Sequence, residues 1–290
     1  MVNNVLMNQP ETAASRALPD FMVIGAMRAG TTLLHELLAA QSAVSLPCMK
    51  ETDFFVREKH SAQQDYARYF DLSSDKCGEV TPNYSKRDVF PGVPAQVFAN
   101  NPAARLIYIV RDPVARAISQ YTHSFLSGQD LPAPEKLLES QPGQHIVNTS
   151  RYAWQLEAWL GYFTPEQIMV LDFAELTTDP AASLRRVCAH IGVQSTQTNM
   201  PAAQTNSAGQ VASVPDWWLK FRDTAAGQRL RALAPRGIAA QAKALLGKGQ
   251  PKKDIPVMPA TVRNQIADVL REDVMKFRQI SNMPFTDWSV

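Results

Sequence analysis

Cysteine is scarce in this chain: Cys48, Cys77 and Cys188 are its whole complement. An odd number of thiols without C-x-x-C spacing indicates neither a disulfide framework nor a zinc site, so all three are expected to be reduced and structural. No His, Asp and Glu cluster has ligand spacing either, and no metal is expected. Long apolar runs are missing. Nowhere do about 18 apolar residues follow one another, which excludes an obvious membrane-spanning helix. The stretch from Met1 to Pro19 is polar and lacks the apolar segment of a secretory signal, so a cytoplasmic location is expected. The net charge is only +2, too small to point to nucleic acid as a partner. Repeats and low-complexity tracts are absent as well.

What the chain does have is apolar bulk in alternating segments. With 45% hydrophobic and 19% charged residues among 290, it can bury a large core. Strands are expected near Asp20 to Ala26, Lys76 to Glu79, Arg105 to Arg111 and Ile168 to Asp172. Helices are expected near Thr32 to Ala40, Val93 to Asn100, Val114 to Leu126, Asn148 to Gly161, Asp179 to Ile191 and Pro259 to Gln279. Strands alternating with helices predict an α/β fold of P-loop-like, three-layer type, with a central, mostly parallel β-sheet between helices. Residues 1–18 read as a loose tail and 19–290 as a single domain.

The first strand runs straight into a glycine-containing turn and a helix. Gly25 and Gly30 keep the glycine spacing of a Walker loop, G-x-x-x-x-G-K-[ST], but Thr31 stands where the lysine that reaches the β- and γ-phosphates belongs. Arg28 is the loop's sole cation. Such a loop still offers backbone N–H groups, a helix N-terminus and the hydroxyls of Thr31 and Thr32 to an anion. It suits a single 5′-phosphate better than a metal-bound triphosphate.

A second strand-to-helix junction follows at Arg105-Leu-Ile-Tyr-Ile-Val-Arg-Asp-Pro113. Five large apolar side chains end at Arg111, and Asp112-Pro113 opens a helix whose apolar residues Ala117, Ile118, Tyr121 and Phe125 recur at spacings of three and four. Ser119 lies about two turns along that helix.

Together the two junctions resemble the sulfotransferases that use 3′-phosphoadenosine 5′-phosphosulfate (PAPS). In that family a glycine-led loop carries a basic residue followed by [AG]-G-T-[TS], and Gly25, Arg28, Ala29, Gly30, Thr31 and Thr32 match it. The resemblance assigns the cofactor 5′-phosphate to Arg28, Ala29, Gly30, Thr31 and Thr32, and its 3′-phosphate to Arg111 and Ser119. Lys50-Glu-Thr-Asp-Phe-Phe55 is similar to the K-E-x-H-F-F of Golgi heparan-sulfate-type and bacterial members, and Gly78-Glu-Val-Thr-Pro-Asn-Tyr84 to their G-E-K-[TS]-P-x-Y. Ser150 to Phe163, Gln167 to Phe173 and the terminal Phe285-Thr-Asp-Trp288 extend the likeness. Three positions depart from it: Arg28 stands where many relatives carry lysine, Val80 replaces another lysine, and Asp53 replaces the histidine of K-E-x-H-F-F.

The resemblance implies transfer of a sulfuryl group from PAPS, leaving 3′,5′-ADP, to a hydroxyl or amine of a carbohydrate, lipid or secondary-metabolite acceptor. It makes Glu51 the expected general base and Arg28 the cation that meets the leaving phosphate; His123, on the face of Ser119, is the competing base. Two other classes stand beside this one: a P-loop small-molecule kinase or other phosphotransferase, which the missing Walker lysine disfavours, and a non-enzymatic binding protein. The last would use the stretch from Lys220 to Lys253, where nine basic residues accompany one acidic residue, Asp223. That stretch, opening with Trp217-Trp218-Leu219-Lys220-Phe221, reads as a helix with a solvated basic face or as a peripheral contact for a membrane surface or an acidic acceptor. It falls within 205–254, where the family likeness is weak and where an acceptor-covering segment is expected. Oligomeric state has no signature in the sequence.

Overall fold

A computed structural model of the chain describes residues 18–56, 63–196 and 254–290. The expected tail up to residue 17 and the basic stretch from Lys220 to Lys253 lie outside the described residues; Leu18, the last residue assigned to the tail, is buried. The chain divides into two compact units, with junctions at Val110/Arg111 and Ala153/Trp154.

The first unit is built on five strands: β1 (Phe21–Gly25), β2 (Val44–Ser45), β3 (Lys76–Val80), β4 (Arg105–Val110) and β5 (Ile168–Asp172). All pair in parallel, in the order β2-β3-β1-β4-β5. Parallel pairing requires crossovers, and helices lie on them: α1 (Thr31–Ala39), α2 (Gln63–Ala67) and α3 (Val93–Asn100) fall between successive strands from β1 to β4, while α7 (Phe173–Thr178) and α8 (Pro180–Ile191) follow β5. Every residue of β1 is buried, as is every residue of β4 except Arg105. Continuous apolar runs are what a strand covered on both faces needs, and they explain why these strands were legible in the sequence. After β1 the chain builds β2 and β3 on one side; β4 and β5 follow on the other. This makes the C-terminal ends of β1 and β4 the topological switch point, where ligands of open α/β sheets bind.

The second unit contains α4 (Pro113–Leu126), α5 (Gln141–Asn148) and α9 (Ala260–Ser281). The helix α6 (Tyr152–Leu160) begins in it and continues past the junction. The expected helix from Asn148 to Gly161 is corrected here: Asn148 ends α5, and α6 starts only at Tyr152. Fully buried Ser150 sits in the break, where its hydroxyl donates to the Pro113 carbonyl (2.8 Å) and accepts from Arg116 Nε (2.5 Å). Those tertiary bonds outweigh helical continuation. Arg116 is itself fully buried and also reaches Gln120 and the Ile146 carbonyl. The α9 face of Val262, Ile266, Leu270, Val274 and Phe277 is buried, and Phe277 stacks with Phe285 and Trp288 at centroid distances of 5.6 and 6.1 Å.

Asp112 caps α4 by accepting from the Ala115 N–H (2.7 Å), and its other carboxylate oxygen accepts from the Ser289 N–H (2.5 Å). Asp112→Ala removes both bonds. Stability should fall by about 1–2 kcal/mol, the usual cost of a lost N-cap, read from the midpoint of urea unfolding; an unchanged midpoint would contradict this account of the junction.

Candidate functional site

One main-chain bond ties the β1–α1 loop to the sheet and a second closes the loop on itself. Ala26 N–H donates to the Ile109 carbonyl (2.6 Å) and Ala29 N–H to the Ala26 carbonyl (3.1 Å). Arg28 (φ 69°) and Gly30 (φ 96°) are both left-handed and bracket Ala29. Alternating backbone handedness of this kind turns successive N–H groups toward one point and forms an anion nest. Gly30 must be glycine for two reasons: its positive φ, and the Phe173 ring, which a Cβ would meet at 2.7 Å. It is also the N-cap of α1 and supplies no side chain to the helix. The first amides of α1 therefore have neither an intrahelical acceptor nor a side-chain cap, and they carry the positive end of the helix dipole. Thr31 is buried, while Thr32 and Arg28 are half-buried. Arg28, Ala29, Gly30, Thr31 and Thr32 thus form the turn from β1 into α1.

Glu51 lies in the same unit, on the loop leading to Phe54 and Phe55. It too is left-handed (φ 63°), and so is Asp53 (φ 52°). For non-glycine residues this conformation costs about 1–3 kcal/mol and persists only where the surroundings fix it. The Glu51 carboxylate accepts from Lys50 Nζ at 2.5 Å, and both side chains keep contact with solvent. The adjacent Thr52 is fully buried, and its hydroxyl donates to Glu79 at the heart of β3.

His35 was not singled out in the sequence. It sits one turn beyond Thr31 on the same face of α1. Its Nε2 is buried without a hydrogen-bond partner among the described residues. Burial, and then the Lys50 charge, lower its pKa below the ordinary 6.5, while the Glu51 charge pulls the other way. The face of α1 that begins at the anion loop therefore continues to an imidazole under the influence of Lys50 and Glu51. The only sequence signal was that i, i+4 spacing.

In the second unit Arg111 directly follows β4. Its main chain is fixed from both sides by one phenol: Tyr152 OH donates to the Arg111 carbonyl (2.8 Å) and accepts from the Arg111 N–H (3.4 Å). Burial raises the Tyr152 pKa, so the phenol stays protonated. Phe277 and Trp288 pack against its ring at 5.5 and 5.6 Å. Arg111 and Ser119 are both half-buried, the latter within α4. His123 lies in the last turn of α4, in the other unit from Glu51. Among the described residues no group of His, Cys, Asp and Glu could hold a metal ion, and no helix is long and apolar enough to cross a membrane.

Comparison with known proteins adds a sequence relationship to this geometry. The family described as "Sulfotransferase domain" matches residues 18–213. A mouse heparan sulfate glucosamine 3-O-sulfotransferase 3B1 is 33% identical over 191 residues, covering 63% of this chain and 48% of its own length. A human bifunctional heparan sulfate N-deacetylase/N-sulfotransferase 3 is 30% identical over 202 residues, covering 61% of this chain and 22% of its own. The chain thus spans about half the length of the first of these relatives and less of the second. Among solved structures, a sulfotransferase from Alicyclobacillus acidocaldarius superposes with a TM-score of 0.67 at 19% identity, over 95% of this chain and 100% of that one. A mouse sulfotransferase complexed with PAP gives 0.50 at 14% identity, over 93% and 88%. Both structures share the fold.

The charges acting on His35 give a direct check on the unliganded protein. By NMR, His35 should titrate below 6.5, Lys50→Met should raise its midpoint, and Glu51→Gln should lower it further. Because the folded state disfavours the imidazolium, the stability carried by the neutral ring is present above 6.5 and lost as pH falls through the lowered value. A midpoint indifferent to both substitutions would separate His35 from the pair.

Proposed function

Because the chain belongs to the sulfotransferase-domain family, we propose that it moves the sulfuryl group of PAPS to a hydroxyl or amine by in-line attack. The observation that carries this reading is the β1–α1 loop, an anion nest at an uncapped helix N-terminus with Thr31 in place of the Walker lysine. The loop fits a 5′-phosphate: its donors are main-chain N–H groups, two threonine hydroxyls and one guanidinium, none of which needs a metal. Arg111 and Ser119 are the residues we assign to the 3′-phosphate. The fixed Arg111 main chain leaves only the side chain to be placed, which lowers the ordering cost of meeting an anion.

PAPS supplies the sulfuryl group when bound; the rest falls to this chain. The acceptor oxygen or nitrogen forms its bond to sulfur as the bond from sulfur to the bridging phosphate oxygen breaks. The acceptor's proton goes to Glu51, and the negative charge growing on the bridging oxygen is met by Arg28 and the α1 amides. An arginine stabilises charge well and gives up a proton poorly, so Arg28 acts as the fixed cation rather than as an acid. The heparan sulfate enzymes among the relatives put a glycan first among acceptor classes to screen, ahead of lipids and secondary metabolites. A mass-spectrometric gain of one sulfuryl group is the readout. Cytoplasmic location, one domain from 19 to 290 and peripheral contact through 205–254 remain part of the proposal.

Arg111→Ala and Ser119→Ala should each weaken 3′,5′-ADP binding roughly tenfold to a hundredfold, the effect of a lost bond to a charged group, and should barely change binding of adenosine 5′-phosphosulfate, which lacks the 3′-phosphate. Equal losses for both ligands would remove the 3′-phosphate from this junction. A larger thermal shift with Mg-ATP than with 3′,5′-ADP would favour a phosphotransferase instead.

Glu51→Gln should lower turnover by about two to four powers of ten, the usual share of general base catalysis, with 3′,5′-ADP affinity kept. Arg28→Ala should damage both, and Arg28→Lys should be mild or improve turnover, since an ammonium can donate a proton to the leaving oxygen. Near wild-type turnover in Glu51→Gln, with loss in His123→Ala at unchanged affinity, would transfer the base role to His123.

A further inference from the structure

Glu79 is fully buried in β3, next to the strand that carries the anion loop. Its two carboxylate oxygens take four hydroxyls. Oε1 accepts from Tyr66 (2.7 Å) and Tyr84 (2.9 Å), and Oε2 accepts from Thr81 (2.9 Å) and, more closely, from Thr52. Four donors fill a carboxylate's acceptor capacity. Thr81 is two residues from Glu79 in the chain, whereas Thr52 reaches the carboxylate from a loop 27 residues away. Thr52 Oγ1 also accepts from the Phe54 N–H (3.2 Å), and Tyr84 OH accepts from the Phe55 N–H (3.3 Å). Asn83 Nδ2, from the segment after β3, donates to Asp53 (2.9 Å). Thr52 is thus a fixed point between two left-handed residues, Glu51 and Asp53. The side chain of Glu51 has its ion pair with Lys50, but the backbone it hangs from is tied down one residue away.

We propose that Glu79 is a positioning residue: its buried carboxylate holds Thr52, and through Thr52 the left-handed turn that orients the Glu51 carboxylate. The catalytic part of this proposal rests on the reading of Glu51 as the base; the geometric part does not. Thr52→Val keeps the shape and burial of the side chain and removes only the hydroxyl that joins the loop to Glu79. Tyr66→Phe removes a hydroxyl from the same carboxylate but leaves the Thr52 link in place. If Glu79 acts through Thr52, these two substitutions part company.

Two readouts separate them. The first needs no acceptor: the NMR titration midpoint of His35, on which Lys50 and Glu51 both act, reports where that pair sits. Thr52→Val and Glu79→Gln should move it by about 0.3 pH units or more, as a change in charge separation does, and Tyr66→Phe should move it less. The second is steady-state kinetics with PAPS and desulfated heparan as acceptor. Thr52→Val and Glu79→Gln should lower kcat about tenfold to a hundredfold, the cost of a misplaced catalytic group, with the KM for PAPS held. Adding either to Glu51→Gln should cost little more than Glu51→Gln alone, because both act on one group. Equal His35 midpoints and equal kcat in Thr52→Val and Tyr66→Phe would overturn the positioning role and leave Glu79 purely structural. Unchanged turnover in Glu51→Gln alone would instead strike the base assignment, whatever the His35 midpoints show.

Discussion

A carboxylate taken out of water without a cation costs several kcal/mol, and among the described residues Glu79 has no cation as a hydrogen-bond partner. Four hydroxyls offset the cost, each bond to a charged group contributing about 1.5–3 kcal/mol. Burial still raises the Glu79 pKa against the pull of those bonds, and the same burial, together with the Glu79 charge, raises those of Tyr66 and Tyr84. The donors come from four places: the loop after Lys50, α2, the end of β3 and the turn that follows it. Their rings join an aromatic cluster in which Phe55 meets Tyr66 at 5.1 Å and Tyr84 at 5.7 Å. Removing the carboxylate would leave four buried hydroxyls seeking acceptors and would release the loop that carries Glu51.

Left-handed backbone marks two loops of the first unit. Arg28 and Gly30 turn the β1–α1 loop, and Glu51 and Asp53 turn the loop after Lys50. Only Gly30 has the residue type that this conformation favours. Each of the others is strained, and each stands beside an anchor: Ala29 bonded to Ala26, and Thr52 bonded to Glu79. Strain held by neighbouring contacts is a common property of reacting sites. It also explains how Arg28 and Glu51, the cation and base we propose, are fixed although neither lies on a strand or helix. In the second unit Tyr152 and Asp112 do the corresponding work for the junction after β4, one holding the Arg111 main chain and the other starting α4.

Much of this was legible in the sequence, for identifiable reasons. Strands β1 and β4 announced themselves because burial on both faces demands unbroken apolar runs. The turn from β1 into α1 was legible because glycine spacing fixes backbone geometry directly. Two-residue β2 is too short to leave a pattern. The break between α5 and α6 depends on Ser150 meeting Pro113 and Arg116, positions that only the fold brings together. Glu79 shares the Gly78–Tyr84 motif with two of its partners, Thr81 and Tyr84, but the motif alone does not reveal Tyr66 and the distant Thr52. Arg116, a polar residue on an otherwise readable helix, was hidden in the same way: periodicity sees apolarity, whereas buried polar groups are specified by partners.

We propose a 5′-phosphate for the β1–α1 loop and a 3′-phosphate for the residues after β4. A crystal structure of the protein with 3′,5′-ADP tests it most directly. The 5′-phosphate should accept hydrogen bonds from the amides at the start of α1 and from Thr31 or Thr32, and the 3′-phosphate from Arg111 and Ser119. A nucleotide seated elsewhere, or a 3′-phosphate that touches neither residue, would contradict the account.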